Sequence, residues 1–330
     1  MSDIIAVTEL EYRKAEAVFQ GAAAEGLDCR PAPAAEEALA AFIRDQGANH
    51  AVIGVETYRG PLYAALPRGG VIARFGVGHD GVDQAQAAAH GLFCTNTPGV
   101  LDDSVAEFTL ALLLAAARHL AAAAAATRAG GWTPRLGCEL RNRTLAVIGC
   151  GAIGRRVARG AAAGFGMRVI GCDPAPAERG RLVADWGFEQ VVAEFATAVA
   201  AADFVSLHLP SIPATRHFIN AERLALLRPE AVLVNTARGA LVDEGALYAA
   251  LAANRLAGAA LDVFEQEPYV PESPGRDLRT LPNVLMTPHL GSSTAEACGR
   301  MARAALANIR NALAGNVTAM TQLTPGGCMT

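Results

Sequence analysis

The sequence predicts an α/β protein: a doubly wound parallel sheet together with a second, smaller α/β unit. Short β-branched runs alternate with alanine-rich stretches almost throughout, which is the pattern of βαβ units. A glycine-rich turn stands between an apolar run and a helical stretch, and 330 residues suffice for about two domains with substantial cores. With 52% apolar and 18% charged residues, the composition excludes a disordered or fibrous chain.

Residues 4–8, 51–55 and 71–75 are the strand candidates of the smaller unit, each ending in turn-forming or polar residues. Residues 101–131 read as one long helix, because alanine is the best helix former and Ser104 with Glu107 makes a capping box. Gly130 and Gly131 stop it. Beyond Arg141 the strand candidates are 145–148, 168–172, 203–208, 231–235, 257–263 and 283–287, with helices expected over 152–163 and 293–314. Six strands with intervening helices make a doubly wound sheet.

The formal net charge of -4, with Lys14 as the single lysine, leaves no basic excess for neutralising phosphates, so a nucleic-acid partner is not expected. Seven cysteines stand singly with no C-x-x-C pair, which points to a reducing compartment, the cytoplasm. Residues 1–14 do not read as a secretory signal. The most membrane-like stretch, 108–126, is interrupted by Arg118 and His119, and ionisable groups at bilayer depth are costly; no membrane partner is expected.

Gly149-Cys150-Gly151-Ala152-Ile153-Gly154 follows an apolar strand and opens a helix, and Asp173 closes the next strand. Gly149 permits the tight turn, Gly151 lets backbone approach a pyrophosphate, and Gly154 allows close packing of helix on strand. The helix N-terminus, at Ala152 and Ile153, offers unpaired N–H groups and positive potential. Asp173 suits a ribose 2′-hydroxyl and would repel a 2′-phosphate, which selects NAD over NADP; Arg179 and Arg181 keep some tolerance for NADP open.

Three polar residues fall just past the C-terminal ends of later strands: Arg238 in NTARGALVDE, Glu267 in LDVFEQEP and His289 in MTPHLGSS. In an open parallel sheet those ends line the ligand crevice. Reduction of a carbonyl needs a proton donor, a role that suits a protonated imidazole. A carboxylate beside it favours the imidazolium, raises its pKa and fixes the ring. A guanidinium fork fits a substrate carboxylate and can polarise the carbonyl oxygen.

The chain resembles the D-isomer-specific 2-hydroxyacid dehydrogenases, a family that includes phosphoglycerate dehydrogenases and glyoxylate/hydroxypyruvate reductases. The likeness runs in order through ARFGVGHDGVD (73 to 83), TNTPGVLDDSVAE (95 to 107), VIGCGAIG (147 to 154), SLHLP (206 to 210), VNTARGALVDEGAL (234 to 247), GAALDVFEQEP (258 to 268) and TPHLGSS (287 to 293). The resemblance implies that Arg238, Glu267 and His289 are the catalytic residues. It implies further that Asp262 contacts the nicotinamide carboxamide, that His208, Pro210, Thr236, Ala237 and Gly291 line the cofactor site, and that Arg74 with the loop Gly76-Val77-Gly78 binds the substrate carboxylate. It also implies a Rossmann NAD-binding domain over 100–288 and a flavodoxin-like substrate domain from 1–99 and 289–330, with hinges at Pro98-Gly99 and Pro288. The helical region 104–132 is implied to form a homodimer.

Two departures stand out. Asp102 occupies a position where many relatives carry a cofactor-touching threonine. Val55 and Glu56 stand where phosphoglycerate dehydrogenases usually have an arginine, which weakens a phosphorylated substrate. A phosphite-oxidising enzyme and an NADH-sensing corepressor-like protein are the alternatives to a 2-hydroxyacid dehydrogenase.

Overall fold

The computed structural model describes residues 2–174 and 179–323; Cys328 and the side chain of Arg179 lie outside that description. The chain divides into two compact units, Met1–Leu101 with Ser292–Thr330, and Asp102–Gly291.

The first unit is a five-stranded sheet of β1 (Asp3–Thr8), β2 (Leu27–Ala32), β3 (His50–Ile53), β4 (Val71–Arg74) and β5 (Phe93–Thr95), all parallel, in the order β2-β1-β3-β4-β5. That order is the flavodoxin-like one. Every residue of β3 and β4 is buried, as expected for parallel strands covered on both faces. The strands not foreseen are at the edges: β2 holds Asp28, Arg30 and Pro31, which an edge tolerates, and β5 has three residues.

The second unit is a seven-stranded parallel sheet of β6 (Thr144–Ile148), β7 (Arg168–Cys172), β8 (Gln190–Val192), β9 (Phe204–Leu207), β10 (Val232–Asn235), β11 (Gly258–Leu261) and β12 (Val284–Met286). Its order, β12-β11-β10-β9-β6-β7-β8, reverses direction between β6 and β9. Ligands of open α/β sheets sit at such a switch, outside the strand C-termini. Two apolar layers cover the faces, one holding Leu113, Val147 and Val157, the other Val205, Leu233 and Leu247, all fully buried. Each such side chain contributes roughly 1.5–3 kcal/mol of burial. Strand β8 was not foreseen, because three residues at an edge carry little pattern.

The expected single helix over 101–131 is two helices, α1 (Asp102–Ala117) and α2 (Leu120–Arg128), bent by 65°. His119 turns the chain at a φ of +52°, and the carbonyl of Ala117 accepts the N–H of Cys138 at 3.0 Å, which ends α1. The helix begins at Asp102, so Ser104 lies within it and is not its cap. No single helix among the described residues is long and apolar enough to cross a membrane.

The division between the units falls at Leu101/Asp102 and Gly291/Ser292. His289 therefore belongs with the seven-stranded unit and not with 289–330, for a reason that lies in Asp262.

Candidate active site

The glycine turn connects β6 to α3 (Ala152–Phe165). Gly149 has a φ of +95°, and a Cβ there would lie 2.6 Å from the carbonyl oxygen of His208, the residue after β9. A Cβ on Gly154 would run into the Gly149 carbonyl, whereas one on Gly151 would meet nothing within 4 Å. Only glycine fits the first two positions, and the third leaves an open approach to the amides of Ala152 and Ile153. This cradle fits a dinucleotide. Asp173 follows β7 and its Oδ2 accepts the Cys150 N–H at 3.1 Å, holding the carboxylate at the turn.

His208 continues β9, donating its N–H to the Ile148 carbonyl at 2.7 Å, and its Nε2 lies 2.8 Å from the Ser206 hydroxyl. Burial pulls its pKa down to about 3, so the ring is neutral at physiological pH. The Pro210 carbonyl accepts the Thr215 hydroxyl at 2.6 Å.

At the end of β10, Asn235 shapes the arginine turn. Its amide donates to the Arg238 carbonyl at 2.8 Å and its Oδ1 accepts the Ala237 N–H at 3.0 Å. Thr236 pairs its hydroxyl with Thr109 of α1 at 2.8 Å. Gly239 lies so close to the Phe264 carbonyl that no Cβ fits, which packs the arginine turn backbone to backbone against the segment carrying Glu267. That segment is held again by Glu244, the first residue of α4 (Glu244–Ala252), whose Oε1 accepts the Glu265 N–H at 2.8 Å.

After β11 and β12 the geometry closes on His289. Its Nδ1 donates to Glu267 Oε2 at 2.7 Å, leaving Nε2 as the atom available to a substrate. Burial works to raise the Glu267 carboxyl; the hydrogen bond and charge of His289, the Phe264 N–H and Arg238 outweigh it and hold the group below its ordinary value.

Asp262 organises this loop. Its Oδ1 accepts the Thr287 hydroxyl at 2.6 Å and the Leu290 N–H at 2.8 Å, and its Oδ2 accepts the Gly291 N–H at 2.8 Å. Its backbone carbonyl accepts the His289 N–H at 2.9 Å. Asp262 is 1% exposed, and these bonds hold His289 at a φ of +54°, a left-handed conformation that non-glycine residues seldom adopt.

In the five-stranded unit, the loop after β4 is tied by its carbonyls: Gly76 O accepts Thr97 N–H at 3.0 Å and Val77 O accepts the Asn96 amide at 2.8 Å. Among the described residues, the N–H groups of Val77 and Gly78 have no hydrogen-bond acceptor. The Arg74 guanidinium lies beside Gly76, 2.6 Å from where a Cβ would stand.

The strand ends thus bring Arg238, Glu267, His289 and Asp262 into the seven-stranded unit with the glycine turn. Residues that sequence reasoning missed are the supports: Asn235, Glu244, Thr287 and the pair His217–Glu265, whose Nε2 and Oε1 lie 2.7 Å apart. Only Asn235, at a strand end within a polar run, carried a local signal. Cys150 and Cys172 are buried beside the turn, with thiols pushed up by burial to about 12 and about 11, which suits packing and not nucleophilic chemistry.

The family model for the NAD binding domain of the D-isomer specific 2-hydroxyacid dehydrogenases matches residues 110–291. The chain is 41% identical over 257 residues to a glyoxylate reductase of Thermococcus litoralis, covering 75% of each. It is 43% identical over 233 residues to a hydroxypyruvate reductase of Thermotoga maritima, covering 70% of this chain and 73% of that one. Among solved structures, an NADPH-dependent glyoxylate/hydroxypyruvate reductase of Sinorhizobium meliloti in complex with NADP and malonate superposes with a TM-score of 0.78 at 32% identity, covering 94% of this chain and 93% of that one.

Proposed function

Because the chain belongs to the D-isomer specific 2-hydroxyacid dehydrogenases, nicotinamide-dependent oxidoreductases of small 2-hydroxy acids, we propose that it reduces short 2-oxo acids such as glyoxylate and hydroxypyruvate. The observation that carries this reading is the 2.7 Å bond between His289 Nδ1 and Glu267 Oε2 past the C-terminal ends of the strands of a dinucleotide-binding sheet. When bound, the nicotinamide supplies or accepts the hydride.

The protein's own part is the proton and the orientation. Glu267 fixes the ring so that Nε2 of His289 can deliver a proton to the developing alkoxide, or remove it in the oxidative direction. Arg238 directs positive charge at the substrate carboxylate and carbonyl oxygen, where charge develops. In the five-stranded unit, the amides of Val77 and Gly78 beside Arg74 are donors suited to a carboxylate. The amides of Ala152 and Ile153 would hold the cofactor's pyrophosphate and Asp173 the adenosine ribose, an arrangement that favours NAD over NADP.

We assign the 120–137 arm to a homodimer. No residue of α2 is buried, and Leu120, Trp132 and Leu136 are 60%, 87% and 97% exposed. Apolar side chains on one continuous stretch fit a second copy of the chain.

Following NADH and NADPH absorbance with glyoxylate, hydroxypyruvate and pyruvate tests the assignment. Turnover is expected, with NADH preferred, and His289→Asn should lower kcat by at least about 10²-fold while sparing NADH binding. NADH binding without turnover of any 2-oxo acid would favour a sensor and overturn the assignment.

A further inference from the structure

Asp102 opens α1 and is 4% exposed, yet it is a carboxylate at the edge of a site built to receive phosphates. Its Oδ2 lies 3.2 Å from Nη1 of Arg156. The same Nη1 donates to the Ala152 carbonyl at 2.7 Å, and the Arg156 Nε donates to Asp103 Oδ1 at 2.6 Å. Ala152 is the first residue of α3, and Arg156 lies one turn further in. Long helical side chains lean back towards the N-terminus, so the guanidinium comes to rest against the opening turn of α3. That turn presents free amides and positive potential, and Gly151 and Ala152 there are exposed.

A buried carboxylate next to an anion-binding turn opposes the ligand. Low local dielectric strengthens the repulsion, and salt screens it less than it would between surface charges. Burial holds the Asp102 carboxyl above its ordinary value, and Arg156 pulls against that, so the arginine favours its charged form. Removing one partner of a buried pair exposes the other's full charge, whereas removing both charges does not.

We propose that Arg156 is a cofactor-affinity residue of this chain: it cancels the buried Asp102 carboxylate at the opening turn of α3, and a dinucleotide's phosphates bind there only because that charge is cancelled. The inference rests on the dinucleotide site proposed above and adds a requirement to it that the glycine motif does not contain. A pair that merely fastened α1 to α3 would affect stability and leave affinity alone.

The test is a double-mutant cycle on NADH binding, measured by nucleotide fluorescence on the full chain at pH 8, in low and moderate salt. Thermal unfolding is recorded for each variant. Arg156→Ala is expected to raise the Kd by about tenfold or more, with the larger effect at low salt. Asp102→Asn added to it is expected to restore the Kd to within about threefold of the wild type, and Asp102→Asn alone to bind as tightly or more tightly. Should Arg156→Ala not fold, Arg156→Gln keeps a donor for the Ala152 carbonyl and enters the same cycle.

An Arg156 variant whose Kd stays within threefold of the wild type while its unfolding temperature falls overturns the proposal, leaving only a fastening. A double variant as weak as the single one overturns it as well. A wild-type chain that binds neither NADH nor NADPH overturns the dinucleotide site itself and this inference with it.

Discussion

Replacing Asp262 by asparagine removes one charge and one acceptor from the loop that carries His289. The carboxylate accepts from Thr287, Leu290 and Gly291 within 2.6–2.8 Å. An asparagine can turn its single oxygen to Thr287 and Leu290, but its NH2 then faces the buried Gly291 N–H, donor against donor. One charge-assisted bond is lost, worth about 1.5–3 kcal/mol, and a buried N–H is orphaned. The bond from the His289 N–H to the Asp262 carbonyl survives, so the strained turn is loosened and not abolished. If about 2 kcal/mol of that loss falls on the reactive position of the imidazole, kcat drops about 30-fold. The assay is NADH oxidation at saturating glyoxylate, with KM for glyoxylate and thermal unfolding measured in parallel. A variant with kcat within twofold of the wild type would show that the Asp262 bonds do not position the ring. A fall in unfolding temperature alone would place the effect in stability.

Further expectations follow from the same geometry. Gly154→Ala puts a methyl group into the Gly149 carbonyl, so NADH binding by titration should weaken more than tenfold, with a stability loss of about 2 kcal/mol or more. His208 stays neutral when folded down to about pH 3, whereas the unfolded ring protonates near the ordinary imidazole value of 6.5. Stability is then lost as pH falls from 6.5 towards 3, by up to about 1.4 kcal/mol per unit from this group. Urea unfolding of His208→Gln at pH 6, 5 and 4 should show a shallower decline; an unchanged slope contradicts the assignment. Glu267, held below its ordinary value, contributes stability that is present above the unfolded carboxylate pKa and lost only as pH falls through the lower folded one. The homodimer proposed for the arm predicts that Leu136→Glu runs as a monomer in light scattering at micromolar concentration where the wild type runs as a dimer, with the isolated fold intact.

Much of the second unit was legible because its chemistry is local. A glycine turn, a following acid and polar residues at strand ends are short patterns with one mechanical reading each, and Gly149, Gly154, Arg238 and His289 stand where those patterns put them. Supports between distant segments leave no such trace. Asp262 is an acid after a strand like any other until the segment 287–291 folds over it, and Glu244 meets the Glu265 N–H only because α4 starts beside that turn. The helix break escaped for the same reason: helix-favouring residues on both sides, 16 in α1 and 9 in α2, predict continuity, while the stop depends on Cys138 reaching back to Ala117. Edge strands β2, β5 and β8 escaped because they are short or carry charge and proline.

The thiols give the molecule an unplanned convenience. Cys94, Cys150, Cys172 and Cys298 are buried, and the Cys29 thiol, though less enclosed, is pushed up to about 12 by burial and the nearby Asp28. Cys138, half-sheltered where α1 ends and the arm returns, shares partial exposure with Cys29 alone among the described cysteines, and it stands beside the exposed arm. Among the described cysteines a mild maleimide should find that sulfur first, and the pace at which it does so reports whether anything covers the arm.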